Sequence, residues 1–141
     1  MTPLRPNRSI PPCSIIPELA YPDVAEAAAW LCEAFGFAER LRIGGHRIQL
    51  TYGDGALVVV EGSDGQQPAF HATMVRVADA AAHCERARSC GARIVREPAD
   101  YPYGERQYTA QDPGGHLWTF TQSIADVDPR DWGGVPAEAK P

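Results

Sequence analysis

A chain of 141 residues, 44% of them hydrophobic, is long enough to fold as one domain that buries about two thirds of its unfolded surface without staples. A formal charge of -5 excludes the basic surface that a phosphate backbone requires, and no apolar run approaches the length of a bilayer-spanning helix, so neither nucleic acid nor membrane is an expected partner. Four cysteines without Cys-x-x-Cys spacing or a secretory signal point to a reduced, cytoplasmic setting, with Cys32 and Cys84 as small hydrophobes inside helices.

Residues 1–13 carry Pro3, Pro6, Pro11 and Pro12 and predict an extended arm without regular structure. A strand is expected over 14–21, then a helix over 24–35 entered at the N-cap Asp23 and stopped by Gly36. Short strands follow at 41–43, 47–52 and 57–61, separated by Gly44-Gly45 and Gly53-Asp54-Gly55. After a polar link the order repeats: strand 72–77, helix 80–89 behind Asp79 and ahead of Gly91, then strands near 93–96, 107–110 and 117–121. The last two flank Asp112-Pro-Gly-Gly115, where Asp112 can bond nearby backbone, Pro113 presets φ and the glycines accept positive φ. The chain therefore reads as two βαβββ modules, over 14–61 and 70–124, with a tail at 125–141. Trp30 and Trp118 read as core, and His83 and His116 as solvent-facing or turn-capping residues.

The run Tyr103-Gly-Glu-Arg-Gln-Tyr-Thr-Ala-Gln-Asp-Pro-Gly-Gly-His-Leu-Trp-Thr-Phe-Thr-Gln122, together with the first strand end and helix over 20–37, resembles the vicinal oxygen chelate superfamily of glyoxalases, bleomycin-resistance proteins and extradiol dioxygenases. The resemblance covers residues 14–124 and implies an α+β fold in which two βαβββ modules form a half-open barrel around a central cavity, as a homodimer. Enzymes of that superfamily hold a divalent metal with one side chain each from the first, fourth, fifth and eighth strands. The matching positions here are Ile16, Val59, Ala72 and Thr119, none a good ligand, so no metal or cofactor is expected. A makeshift set of His71, Glu61, His46 and Glu18 is the alternative, against which His71 reads as a structural residue at a strand edge.

Side chains two residues apart on a strand share a face, which adds Ser14, Glu18, Leu57, Glu61, Met74, Arg76, Leu117 and Thr121 to the inward set. Glu18, Leu57, Val59, Glu61, Met74, Arg76 and Thr119, with Tyr103, Arg106 and Tyr108 at the rim, are the candidate ligand-binding residues; no catalytic residue is singled out. A mainly apolar lining with a few charges suits an organic ligand. The expected function is metal-independent binding of a hydrophobic or aromatic compound, by sequestration, as in antibiotic resistance. The alternative is a lyase, isomerase or dioxygenase that uses a metal, or a metal-free proton transfer with Glu18 or Glu61 as base.

Overall fold

The computed structural model describes residues 7–13, 15–62 and 72–136, and it contains two βαβββ modules. In the first, β1 (Glu18–Tyr21), α1 (Val24–Phe35), β2 (Ala38–Ile43), β3 (Arg47–Tyr52) and β4 (Gly55–Glu61) form a sheet of order β1-β4-β3-β2 with one helix. In the second, β5 (Ala72–Arg76), α2 (Ala80–Ser89), β6 (Arg93–Tyr101), β7 (Glu105–Gln111) and β8 (Leu117–Ser123) repeat that order as β5-β8-β7-β6. In each sheet the first strand pairs parallel with the last, and the others pair antiparallel. The chain clusters into two compact units that follow these modules, except that the turn Pro113–His116 groups with the first.

Both helices start and stop where local chemistry dictates. Asp23 and Asp79 adopt extended backbone, and their carboxylates accept from Glu26 N and Ala82 N, each at 3.0 Å. Alanine at 25, 27, 28 and 29 supplies the highest helix propensity in α1, which ends at Gly36 with φ 87°, where its N–H reaches Cys32 O. Val24, Ala28, Leu31 and Phe35 recur at helical spacing and are buried with Leu19, Tyr21, Ile48, Leu50, Leu57 and Val59. The second core combines Ala80, Cys84 and Ala87 of α2 with Tyr108, Ala110, Trp118 and Phe120.

Some strand bounds differ from expectation for backbone reasons. β1 begins at Glu18 rather than residue 14, although Pro17 O still accepts from Val58 N at 2.9 Å. Pro17 has no N–H to extend the ladder, and residue 14 lies outside the described residues. β6 runs to Tyr101 because register shifts between Ile94 and Arg96 and between Arg96 and Ala99 let the strand pass Pro98. Trp118 is fully buried and its indole N–H donates to Asp112 Oδ2 at 3.0 Å, so Asp112 anchors the following strand as well as shaping the turn. Trp30 is half-buried, with its ring 4.9 Å from that of Phe35.

Past β8 the chain bends back along the second unit. Gly104 O accepts from Ile124 N at 2.8 Å and Ala125 N at 3.3 Å, and a 3₁₀ turn follows at Pro129–Trp132. Gly104 has φ 85°, and a Cβ there would lie 2.4 Å from Ala125 O, so only glycine admits this close approach.

Candidate functional site

In each unit the helix covers one face of its sheet and leaves the other to be used. Cross-strand partners point to the same side, so the register assigns every residue to a face. In the first sheet the pairs Leu19↔Val59, Ile48↔Val59 and Leu50↔Leu57 put these buried side chains on the helix side. Glu18↔Val58, Gln49↔Val58 and Arg47↔Val60 lie on the other.

That open face holds a pocket of ≈ 230 Å³ lined by Ile16, Glu18, Ile43, Arg47, Gln49 and Val58 of the sheet side, and by Ser9 and Ile10 of the arm. Arg47 Nη2 donates to Glu18 Oε1 at 2.8 Å, which ties the Glu18 carboxylate to a guanidinium. The inward parity expected of Ile16 and Glu18 matches this face, whereas Leu57 and Val59 are 2% and 0% exposed on the helix side, and Glu61 shares their parity at the exposed strand end. The expected β4 lining is therefore off by one residue, and Val58 and Val60 take its place. An all-apolar run, Leu57-Val-Val-Val60, carries no alternation from which its face can be read.

In the second sheet Ala72↔Leu117, Met74↔Thr119 and Arg76↔Thr121 share the open face with Glu105, Gln107 and Thr109 of β7, as the parity of Ala72 and Thr119 requires. Met74 is 61% exposed there. A polar chain crosses this face: Tyr103 O–H donates to Gln107 Oε1 (3.2 Å), Gln107 Nε2 donates to Thr121 Oγ1 (3.0 Å), and Thr121 O–H donates to Glu105 Oε1 (2.6 Å). Hydrogen bonds from Thr121 and Ser123, with help from the charge of Arg76, hold the Glu105 carboxyl below its ordinary range, so it is an anion at neutral pH. Thr109 and Thr119 hydroxyls bond each other at 3.0 Å.

Of the three rim candidates only Tyr103 borders this face. Tyr108 is fully buried on the helix side, its hydroxyl bonded to His83 and its ring 5.1 Å from Phe120. Arg106 shares that parity and is gripped by both oxygens of Asp100 at 2.6 and 3.1 Å, which lowers the Asp100 pKa. Tyr103 instead stacks on Tyr101 at 5.4 Å and 11° and meets Trp132 of the tail at 5.2 Å. Sequence reasoning passed over Gln49, Gln107 and Glu105. Gln49 carries the clearest signal, a polar residue between Ile48 and Leu50 whose alternation marks the face opposite the core.

His83 and His116 are structural, whereas His46 is exposed in the turn between β2 and β3. Of the two readings of His116, solvent-facing or turn-capping, burial removes the first: its Nε2–H donates to Ala20 O at 2.7 Å and its ring lies 4.5 Å from Tyr21 within the first unit. His83 is half-buried against Tyr108 and Phe120. His71 and Ser14 lie outside the described residues. Among the described residues no three His, Cys, Asp or Glu side chains come together in a way that could hold a metal ion. Glu18 and Glu61 of the makeshift set fall on opposite faces. Burial is the main influence on the thiols of Cys32 and Cys84 and raises both, so neither is an activated nucleophile.

Residues 14–120 match the family model of the Glyoxalase/Bleomycin resistance protein/Dioxygenase superfamily. The chain belongs to this superfamily. Among solved structures it is similar to TioX from Micromonospora sp. ML1, at 34% identity over 78% of this chain and 98% of that one, with a TM-score of 0.67. It shares its fold with FosX, a fosfomycin resistance protein from Listeria monocytogenes complexed with Mn(II) and sulfate (15% identity, 79% of this chain, 90% of that one, TM-score 0.68). The S. aureus hypothetical protein SA1046 shares it too (18% identity, 77% and 92% covered, TM-score 0.65). No curated protein matches the sequence.

Against the metal-binding enzymes of the superfamily, the donor chemistry of the described residues on these faces does not fit a divalent ion. Ile16, Val58, Val60, Met74 and Thr119 occupy the open faces of the four strands concerned, and Glu18 is committed to Arg47. No helix in the described structure is long and apolar enough to cross a membrane.

Proposed function

We propose that this protein binds a small organic molecule on a strand face that a unit turns away from its own helix, without a divalent metal, and holds it rather than transforms it. One observation carries the reading: the open faces present apolar side chains with sparse, oriented polar anchors where a metal enzyme needs imidazole and carboxylate donors. Ile16, Val58, Val60 and Met74 supply apolar area, worth about 25 cal/mol per Å² removed from water. Glu18 supplies orientation on the first unit's face, and Arg76, Glu105, Gln107 and Tyr103 on the second's, where the stacked Tyr101 and Tyr103 with Trp132 favour a ligand with a planar ring. Because neighbouring folds include fosfomycin resistance proteins, an antibiotic is a fitting class of compound. A cytoplasmic homodimer belongs to the same proposal, and sedimentation equilibrium of the purified chain checks the dimer.

The test is elemental analysis of protein purified without chelator, followed by calorimetric titration with manganese, zinc, nickel and iron(II) and a thermal-shift screen of aromatic and antibiotic compounds. Stabilisation by a compound without stoichiometric metal supports the reading. One tightly held ion per chain overturns it in favour of a metal-dependent lyase, isomerase or dioxygenase.

A further inference from the structure

The open face of the first sheet already has an occupant. Gln49 is only 3% exposed, and a buried amide must find partners or cost on the order of 1–3 kcal/mol. Its Nε2 donates to Ser9 O at 2.9 Å, and its Oε1 accepts from Arg40 Nη1 at 2.6 Å. Arg40 Nη2 in turn donates to Arg8 O at 3.1 Å. Two consecutive carbonyls of the arm are thus received by a coupled pair of side chains on the sheet. Ile10 lines the pocket with Ile16, Ile43 and Val58, the neighbouring Pro11 is buried, and Cys13 Sγ bonds Asp54 O at 3.2 Å.

The arm is laid on this face without being woven into it. Among the described residues its one backbone-to-backbone bond is internal, Ile10 N to Asn7 O at 3.3 Å, and Pro11 and Pro12 have no N–H to offer a strand edge. Side chains, not a backbone ladder, hold the arm on this face. The arm leaves little room while in place, since ≈ 230 Å³ falls below the roughly 300–1,000 Å³ of ordinary small-molecule sites.

From this we infer that the open face of the first sheet is a site for a peptidic compound, one with adjacent amide carbonyls beside an apolar group, and that residues 8–11 occupy it as an internal surrogate. The Arg40–Gln49 pair recognises the carbonyls, and Ile16, Ile43 and Val58 receive the apolar group. Withdrawal of the arm precedes binding, so the arm sets the apparent affinity. The inference rests on the reading of the open faces as ligand-binding surfaces and adds to it a ligand class and a regulator.

The experiment uses full-length variants and a fluorescein-labelled hexapeptide of residues 7–12, Asn-Arg-Ser-Ile-Pro-Pro, followed by fluorescence anisotropy. Pro11→Asp and, at an exposed position, Ile10→Asp put a charge into the docked arm and release it. Both variants are expected to bind the hexapeptide at least about tenfold more tightly than the wild-type chain, and adding Gln49→Leu to Ile10→Asp should remove about tenfold again. A hexapeptide with Asp in place of its Ile should not bind.

In the wild-type chain, excess unlabelled hexapeptide should expose Cys13 and speed its reaction with a thiol reagent, a readout that does not depend on how the variants fold. Folded variants without a gain in hexapeptide affinity, or wild-type thiol reactivity indifferent to the peptide, overturn the inference. Titration with 8-anilinonaphthalene-1-sulfonate separates the two levels. Dye bound by released variants that ignore the peptide rejects the peptidic site and keeps the small-molecule reading; neither bound rejects both.

Discussion

Val59 and Val60 are adjacent, chemically identical and on opposite faces, which makes them a direct test of which side of the first sheet is core. Val59 is 0% exposed between Leu19 and Ile48, whereas Val60 is half-buried on the open face beside Ala20 and Arg47. Val59→Ala removes two buried carbons, about 1.6 kcal/mol at about 0.8 kcal/mol each, and the unfilled space under α1 adds on the order of 1 kcal/mol. The expected loss is about 2.5 kcal/mol, a fall in Tm of about 8 °C for a chain of this size. Val60→Ala should cost about 0.5 kcal/mol, because much of its side chain already meets solvent. Urea unfolding followed by both far-ultraviolet circular dichroism and tryptophan fluorescence measures the difference, with coincident curves required before a single free energy is assigned. If Val60→Ala costs as much as Val59→Ala, the assignment of faces fails, and with it the lining of the first pocket.

Three further outcomes follow from the second unit. Asp112→Ala leaves the buried indole N–H of Trp118 without its 3.0 Å acceptor and should cost about 3 kcal/mol in denaturant unfolding, while Asp112→Asn, which keeps an acceptor, should cost about 1 kcal/mol. Thr121→Val removes the hydroxyl that donates to Glu105, so the Glu105 pKa should rise toward its ordinary value in a carbon-13 NMR titration. The sign for stability follows: a folded pKa below the unfolded one gives a contribution present above the unfolded carboxylate range and lost as pH falls through the folded pKa. The variant should therefore shed less stability than the wild type on acidification. Gly104→Ala places a methyl 2.4 Å from Ala125 O at a φ of 85°, which should release the tail, shift Trp132 fluorescence to the red and increase its quenching by acrylamide.

What was legible in the sequence was whatever rests on local chemistry. Asp23 and Gly36, Asp79 and Gly91, and the Asp-Pro-Gly-Gly turn mark boundaries through single-residue capping and turn geometry, and both helices begin and end where those residues require. Faces were legible where polar and apolar residues alternate, as in Arg47-Ile-Gln-Leu-Thr51, and illegible in Leu57-Val-Val-Val60, where burial on both sides erases the period. Met74, Arg76 and Thr119 fell on the expected side because they are counted over a few residues from Val77 and from the Asp112-Pro113 turn, whereas Leu57 and Val59 have no such marker and did not.

The arm shows a different limit, one of distance rather than of pattern. In the described part of the arm, residues 7–13, Pro11 and Pro12 have no N–H for a ladder, yet nothing within the segment says which surface it meets. The answer lies some 40 residues away, in one glutamine among buried apolar neighbours. A polar side chain there is costly unless its donor and its acceptor both find partners: Arg40 donates to its Oε1, and the Ser9 carbonyl of the arm, which has no ladder to enter, accepts from its Nε2. The same complementarity is what makes the contact replaceable. Any molecule that offers Gln49 and Arg40 two carbonyls and fills the space of Ile10 competes with the arm on equal chemical terms, and a sheet face made only of apolar residues would have had no such preference to reveal.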